Sequence, residues 1–87
     1  MRTAVVILNW NGEKFLNQFL PVLLRNTQLP GVDIYVADNA STDNSLSLIE
    51  EQFPTVKTLL LDKNYGFAGG YNKALAQINA DYFVLLN

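Results

Sequence analysis

Apolar runs alternate with polar clusters along this chain, and the runs differ in period. Thr3–Leu8 is unbroken and rich in β-branched residues, which predicts a strand buried on both faces. Asn9-Trp10-Asn11-Gly12 closes it as a turn. From Glu13 the apolar residues Leu16, Phe19, Leu20, Leu23 and Leu24 recur at helical spacing. Pro21 lies inside that run and lacks an N–H, so it predicts a kink or the start of a second short helix. Leu29-Pro30-Gly31 connects to a second strand over Asp33–Ala37. Ser41 or Thr42 is placed to cap the next helix, with Asp43 favourable in its first turn. Leu46, Ile49 and Phe53 mark that helix's buried side, and Pro54 stops it. Val56–Leu61 reads as a third strand. Phe67–Asn79 reads as a helix with Ala68, Tyr71, Ala74, Leu75 and Ile78 as its inner stripe. Tyr82–Leu86 reads as a fourth strand.

Strands alternating with helices imply an α/β fold with a parallel sheet and right-handed crossovers. The expected arrangement is Rossmann-like β-α-β-α-β-α-β with strand order 3-2-1-4, in a single domain over 1–87. The sequence ends directly after the fourth apolar run. A strand left there at a sheet edge exposes backbone groups and an apolar face. The expectation is a domain truncated at that point, or one that pairs with another chain.

Composition narrows the partners. Of 87 residues, 49% are hydrophobic and 16% charged, which describes a globular chain rather than a disordered one. The formal net charge is −2, and the basic residues Arg2, Lys14, Arg25, Lys57, Lys63 and Lys73 are scattered, so nothing favours nucleic acid as a partner. Cysteine and histidine are both absent, which removes thiolate ligands, the usual general base and the commonest transition-metal ligand. No apolar stretch approaches the roughly 20 residues of a transmembrane segment. Asn9-Trp10-Asn11 interrupts the N-terminal apolar run without a small-residue cleavage site, so it does not read as a signal peptide.

Ligands of open α/β sheets collect outside the carboxyl ends of the strands, and polar clusters follow the first three runs there. Asn9-Trp10-Asn11-Gly12 offers amides and one aromatic face, or else is a plain turn with Trp10 in the core. Asp38-Asn39-Ala40-Ser41-Thr42-Asp43 begins with a carboxylate able to accept strong, charge-assisted hydrogen bonds from a base imide or sugar hydroxyl. The structural alternative is a turn residue followed by a helix cap. Asn64-Tyr65-Gly66-Phe67-Ala68-Gly69-Gly70-Tyr71-Asn72 puts three glycines near a helix start, at a cost of roughly 1 kcal/mol for each in the interior. That cost fits close approach of a ligand, or tight packing of helix on sheet. Neither Gly-x-Gly-x-x-Gly nor a Gly-x-x-x-x-Gly-Lys-Ser/Thr loop is present.

Together, in this order and spacing, the clusters resemble the family 2 glycosyltransferases, which have a GT-A fold. Val5-Val6-Ile7-Leu8-Asn9-Trp10-Asn11 is similar to that family's first strand and aromatic-Asn loop. Asp38 to Asp43 is similar to its Asp-(Asn/Asp/Gly)-x-Ser-x-Asp signature, and Asn64 to Asn72 to its Asn-x-Gly…Asn segment. Tyr82-Phe83-Val84-Leu85-Leu86-Asn87 resembles the strand leading into its metal-binding Asp-x-Asp-type motif. The resemblance implies a nucleotide site. Trp10 would lie beside the base, with Leu8, Asn9 and Asn11 shaping the loop. Asp38 would hydrogen-bond a pyrimidine, with Asn39 close by and Ser41 supplementing it. Asn64 and Gly66 would line the pocket, and Asn72 matches the family's Asn in the following helix. Many members carry Arg before that Asn, whereas this chain has Tyr71. The variant looks most like the rhamnosyltransferase-like branch, which implies a UDP- or dTDP-sugar donor.

The same resemblance implies transfer of a sugar to an acceptor hydroxyl, in polysaccharide or cell-surface glycan synthesis, by one inverting displacement. A divalent metal, Mg or Mn, would neutralise the leaving diphosphate in the complete enzyme. The metal carboxylates are expected after Asn87, and the catalytic base in an acceptor-binding half, so this chain is expected to hold no metal or catalytic residue and to be inactive alone. The expected setting is cytoplasmic, peripheral to the membrane for the complete enzyme. The rival reading is a non-catalytic module that binds a partner, or forms a homodimer through the exposed fourth strand. A receiver domain needs acidic residues where Asn9 and Asn11 stand.

Overall fold

The computed structural model describes residues 1–86. Seven elements follow one another: β1 (Thr3–Asn9), α1 (Glu13–Asn26), β2 (Val32–Asp38), α2 (Ser45–Gln52), β3 (Lys57–Leu60), α3 (Gly66–Leu75) and β4 (Tyr82–Leu86). The four strands form one sheet in the expected order β3-β2-β1-β4. Every pairing is parallel, with Val5 opposite Ile34 and Val84, and Tyr35 opposite Lys57.

Strand alternation splits β1 between two cores. Val5 and Ile7 face Leu16 and Leu20 of α1 and Ile49 of α2. Ala4 and Val6 face Tyr71 and Ala74 of α3, with Ile78 just beyond that helix. α1 and α2 therefore cover one face of the sheet and α3 the other. This is what right-handed crossovers require when the first two move along the sheet one way and the third returns past β1.

Several boundaries differ from the sequence reading. α1 runs through Pro21 as one helix, and no second helix starts there. Pro21 and Val22 lie on the exposed side. α3 ends at Leu75 rather than Asn79, and Ala68 in its first turn is exposed rather than part of the inner stripe. β3 is shortened to four residues. Its flanking residues Val56 and Leu61 are buried even so.

The connections bring the chain back to the sheet. Gly31 adopts φ 77°, and its carbonyl accepts the Thr3 N–H at 2.8 Å. A β-carbon at that position would press on the Met1 carbonyl at 2.6 Å, so glycine is needed there on two counts. Leu86 is the last described residue of β4; Asn87 lies outside the described residues.

Candidate functional site

A parallel sheet puts all carboxyl ends of its strands along one edge. The loops after β1, β2 and β3 meet there, as the three polar clusters predict. They are tied by side chains. Asp38 ends β2, is 2% exposed, and sits at the centre. Its Oδ1 accepts Asn9 Nδ2 at 2.9 Å and Ser41 Oγ at 2.7 Å, and its Oδ2 accepts the Ser41 N–H at 2.8 Å. Asn9 also donates Nδ2 to Ser41 Oγ at 3.2 Å and accepts the Gly12 N–H on Oδ1 at 3.1 Å. One buried carboxylate and one buried amide thus hold the β1–α1 loop against the β2–α2 loop.

Asn39 performs the same service on the other side. It is buried, and its Nδ2 donates to the Gly66 carbonyl at 3.0 Å while its Oδ1 accepts the Tyr65 N–H at 2.9 Å. This ties the β3–α3 loop to the end of β2. Gly70 stands behind it with no room to spare: a β-carbon there would lie 2.8 Å from Leu8 and 2.9 Å from Asn39 Nδ2. The glycine-rich stretch therefore serves the tight packing of helix on sheet at Gly70. At Gly66, φ is 74° and the space beyond is open.

The exposed members sit on this frame. Asn11 adopts φ 52° and turns its Oδ1 toward the Thr42 and Asp43 N–H groups, at 2.7 and 3.2 Å. Asparagine is among the few side chains that tolerate such a backbone. Trp10 is 56% exposed, so the alternative of a core tryptophan is discarded. Asn64 Oδ1 accepts the Gly66 N–H at 2.8 Å, and Asn72 lies exposed on α3. Leu8 points to the α3 side of the sheet and packs in that core. Ser41 and Thr42 do not cap α2, which begins at Ser45. The N-cap is Asn44, which makes no side-chain cap bond; Asp43 just before it accepts the Ser45 N–H at 2.9 Å and Ser45 Oγ at 2.5 Å on its Oδ1. Slight burial works against the Asp43 carboxylate, but the Ser45 and Glu13 bonds outweigh it and hold its pKa below the ordinary value. The sequence reading places Tyr65 in the third cluster but does not mark its contact with Asp62. The Tyr65 hydroxyl donates to the Asp62 carboxylate, and both Lys63 and Lys73 sit 5.2 and 5.1 Å from the Tyr65 ring centre. The i, i+3 spacing of Asp62 and Tyr65 was the available signal.

No group of three His, Cys, Asp or Glu side chains capable of holding a metal occurs among the described residues. The residues present among those described do not fit the divalent metal that the resemblance implies. A surface concavity between α1 and α2 is lined by Asn11, Glu13, Lys14 and Asp43, but neither Trp10 nor Asn64 reaches it. It lies to one side of the three-loop edge.

The Rossmann-like sheet in the order 3-2-1-4, whose first three loops interlock at the carboxyl edge, matches solved glycosyltransferases of the GT-A fold. The model of glycosyl transferase family 2 matches residues 4–87, and the chain belongs to that family. It is 28% identical over its whole length to an uncharacterised glycosyltransferase of Nostoc sp., of which it covers 28%. It is 31% identical over 85% of its length to the N-acetylglucosaminyl-diphospho-decaprenol L-rhamnosyltransferase of Mycobacterium tuberculosis, covering 24% of that protein. Among solved structures, S. aureus TarS residues 1–349 in complex with UDP superpose with a TM-score of 0.82 at 26% identity, over 99% of this chain and 27% of that one. The mannosyltransferase PcManGT of Pyrobaculum calidifontis, solved with GDP-Man and Mn2+, has a TM-score of 0.79 at 21% identity over 92% of this chain and shares the fold. The chain spans about a quarter of the length of the curated relatives it matches.

Proposed function

We propose that these 87 residues form the single nucleotide-binding domain of a nucleotide-sugar-dependent glycosyltransferase, with the UDP or dTDP part of the donor seated at the three-loop edge. The observation that carries this reading is the division of labour at that edge. Asn9, Asp38 and Ser41 bond one another, Asn39 bonds the backbone of Tyr65 and Gly66, and on this frame Trp10, Asn11, Asn64 and Gly66 stand exposed. The UDP-bound relative supports it. In this reading Trp10 stacks on the base, a contact worth about 0.5–1.5 kcal/mol beyond its area for aromatic pairs. Asp38 Oδ2 accepts one internal bond and keeps a second lone pair. That is the position where a base imide N–H can engage it. Leu8 and Asn72 act from behind and beside the loops.

Sugar transfer belongs to the longer protein that the relatives represent. In our reading that protein moves the sugar to an acceptor hydroxyl with inversion, in cell-surface glycan synthesis, at the cytoplasmic side of a membrane. The metal ligands and the base that deprotonates the acceptor come from residues other than 1–86. Among the described residues, no helix is long and apolar enough to cross a membrane.

Trp10 is the only tryptophan, so its emission reports on this edge alone. Titration with UDP and dTDP should give saturable quenching, and Asn64→Ala should weaken it while leaving the fold intact. Unchanged Trp10 emission at millimolar UDP and dTDP would reject the reading.

A further inference from the structure

Trp10 is 56% exposed, and among the described residues no aromatic partner holds its indole. Its two chain neighbours, by contrast, are both held, and by the same segment of the β2–α2 loop. Asn9 is buried, and its Nδ2 donates to Asp38 Oδ1 at 2.9 Å and to Ser41 Oγ at 3.2 Å. Asn11 donates its backbone N–H to that same Ser41 Oγ at 2.8 Å. Its Oδ1 accepts the Thr42 N–H at 2.7 Å and the Asp43 N–H at 3.2 Å, and its Nδ2 donates to Thr42 Oγ1 at 3.3 Å. The Asn11 backbone turns through φ 52°, a conformation in which asparagine and aspartate are enriched and most other side chains are rare.

We infer that Asn11 is a positioning residue for Trp10 and not a ligand contact: its side chain clamps the β1–α1 loop to Thr42 and Asp43, and so fixes the direction in which the tryptophan leaves the backbone. The occupied hydrogen-bonding positions carry the inference. A carboxamide oxygen has two lone pairs, and Asn11 Oδ1 uses both on the β2–α2 loop. The carboxamide is exposed, yet it has no acceptor left to offer a nucleotide. What its bonds accomplish lies one residue back. Asn9 fixes the chain before Trp10 and Asn11 fixes it after, so the Cα–Cβ bond of Trp10 keeps one direction without help from its own indole. A stacking platform held in place before the ligand arrives avoids the ordering of a mobile side chain, which costs about two- to twelvefold in affinity. The position needs both properties of asparagine. Glycine takes the turn without the clamp, and alanine has neither the clamp nor the tolerance of positive φ.

NMR relaxation of the backbone amides in the unliganded 87-residue chain separates the clamp from the turn. Asn11→Gly keeps the positive φ and loses the side-chain bonds. Asn11→Asp tolerates the same φ and still accepts the Thr42 and Asp43 N–H groups. The Trp10 amide should have an order parameter of about 0.85 in the parent and in Asn11→Asp, and below about 0.6 in Asn11→Gly. The Ser41 and Tyr65 amides, held by Asp38 and Asn39, should be unchanged in both variants. UDP should bind Asn11→Gly about two- to twelvefold more weakly than the parent. A Trp10 amide as rigid in Asn11→Gly as in the parent overturns the inference. So does an Asn11→Asp variant as loose as Asn11→Gly, equal loosening of Ser41 and Tyr65, or unchanged UDP affinity beside a loosened Trp10. The affinity measurement rests on the nucleotide reading and the relaxation measurements do not. A parent chain that binds no UDP rejects that reading, and the order parameters still decide this one.

Discussion

At the residue scale, Asp38 shows what a sequence can and cannot say about a polar side chain. Its place at the end of an apolar run marked it for function, and the structure puts it at the edge where function is expected. Its partners were not legible, because Asn9 and Ser41 reach it across loops whose conformations no local pattern encodes. Asp38→Asn tests that network. The new amide would present hydrogens to Asn9 Nδ2 or to the Ser41 donors, leaving a buried donor unpaired at a cost of about 1–3 kcal/mol. Urea unfolding should record that loss without any nucleotide present. The exposed acids behave differently. The bond from Tyr65 holds the Asp62 carboxyl below its ordinary value and raises the Tyr65 hydroxyl above its own. The Asp62 contribution is therefore present above the ordinary carboxylate value and is lost as pH falls through the lowered one. The Tyr65 contribution is present below pH 10 and is lost as pH rises through the raised value. NMR titration of Asp62 should show its midpoint below 3.8, moving back toward that value in Tyr65→Phe.

At the element scale, the alternation of periods implies a parallel sheet and marks most of each helix's buried face, while the order 3-2-1-4, expected but not fixed by the alternation, comes from the structure. Leu16, Leu20 and Ile49 sit fully buried where 3.6-residue spacing put them. What failed was local. Pro21 predicts a kink or a second short helix, and no second helix starts there: α1 continues through it on the solvent side. The spacing predicts Ala68 as inner, yet in the first turn of α3 it is exposed. Gly70 shows a third limit, because glycine's role depends on the neighbour it faces. Gly70→Val would drive branched carbons into Leu8 and Asn39, at a cost of about 1–3 kcal/mol in overpacking. It should also loosen the bonds from Asn39 to Tyr65 and Gly66. Faster hydrogen exchange at the Tyr65 amide, beyond the global loss of stability, is the expected result. Equal loss at every amide would show that α3 shifts as a body and carries its loop with it.

At the scale of the whole molecule, 87 residues bury a smaller share of their surface than larger domains do, so the margin of stability is thin. The three site loops close the carboxyl ends of β1, β2 and β3, so a ligand bridging them adds to the cohesion of the sheet itself. Binding to the folded state alone stabilises by about 2.7 kcal/mol at a ligand concentration one hundredfold above Kd. In a chain of this size each kcal/mol moves Tm by roughly 4–8 °C. UDP or dTDP at saturating concentration should therefore raise Tm by on the order of 10 °C or more, rising with the logarithm of concentration. Asn64→Ala should shift that dependence to higher nucleotide concentration while leaving the unliganded Tm nearly in place, since its one described bond is a local bond to Gly66. Asp38→Asn should lower the unliganded Tm as well, because it acts on the frame. A Tm that stays constant across millimolar nucleotide in the parent chain, with Trp10 emission also constant, would mean the edge is organised for something other than a nucleotide.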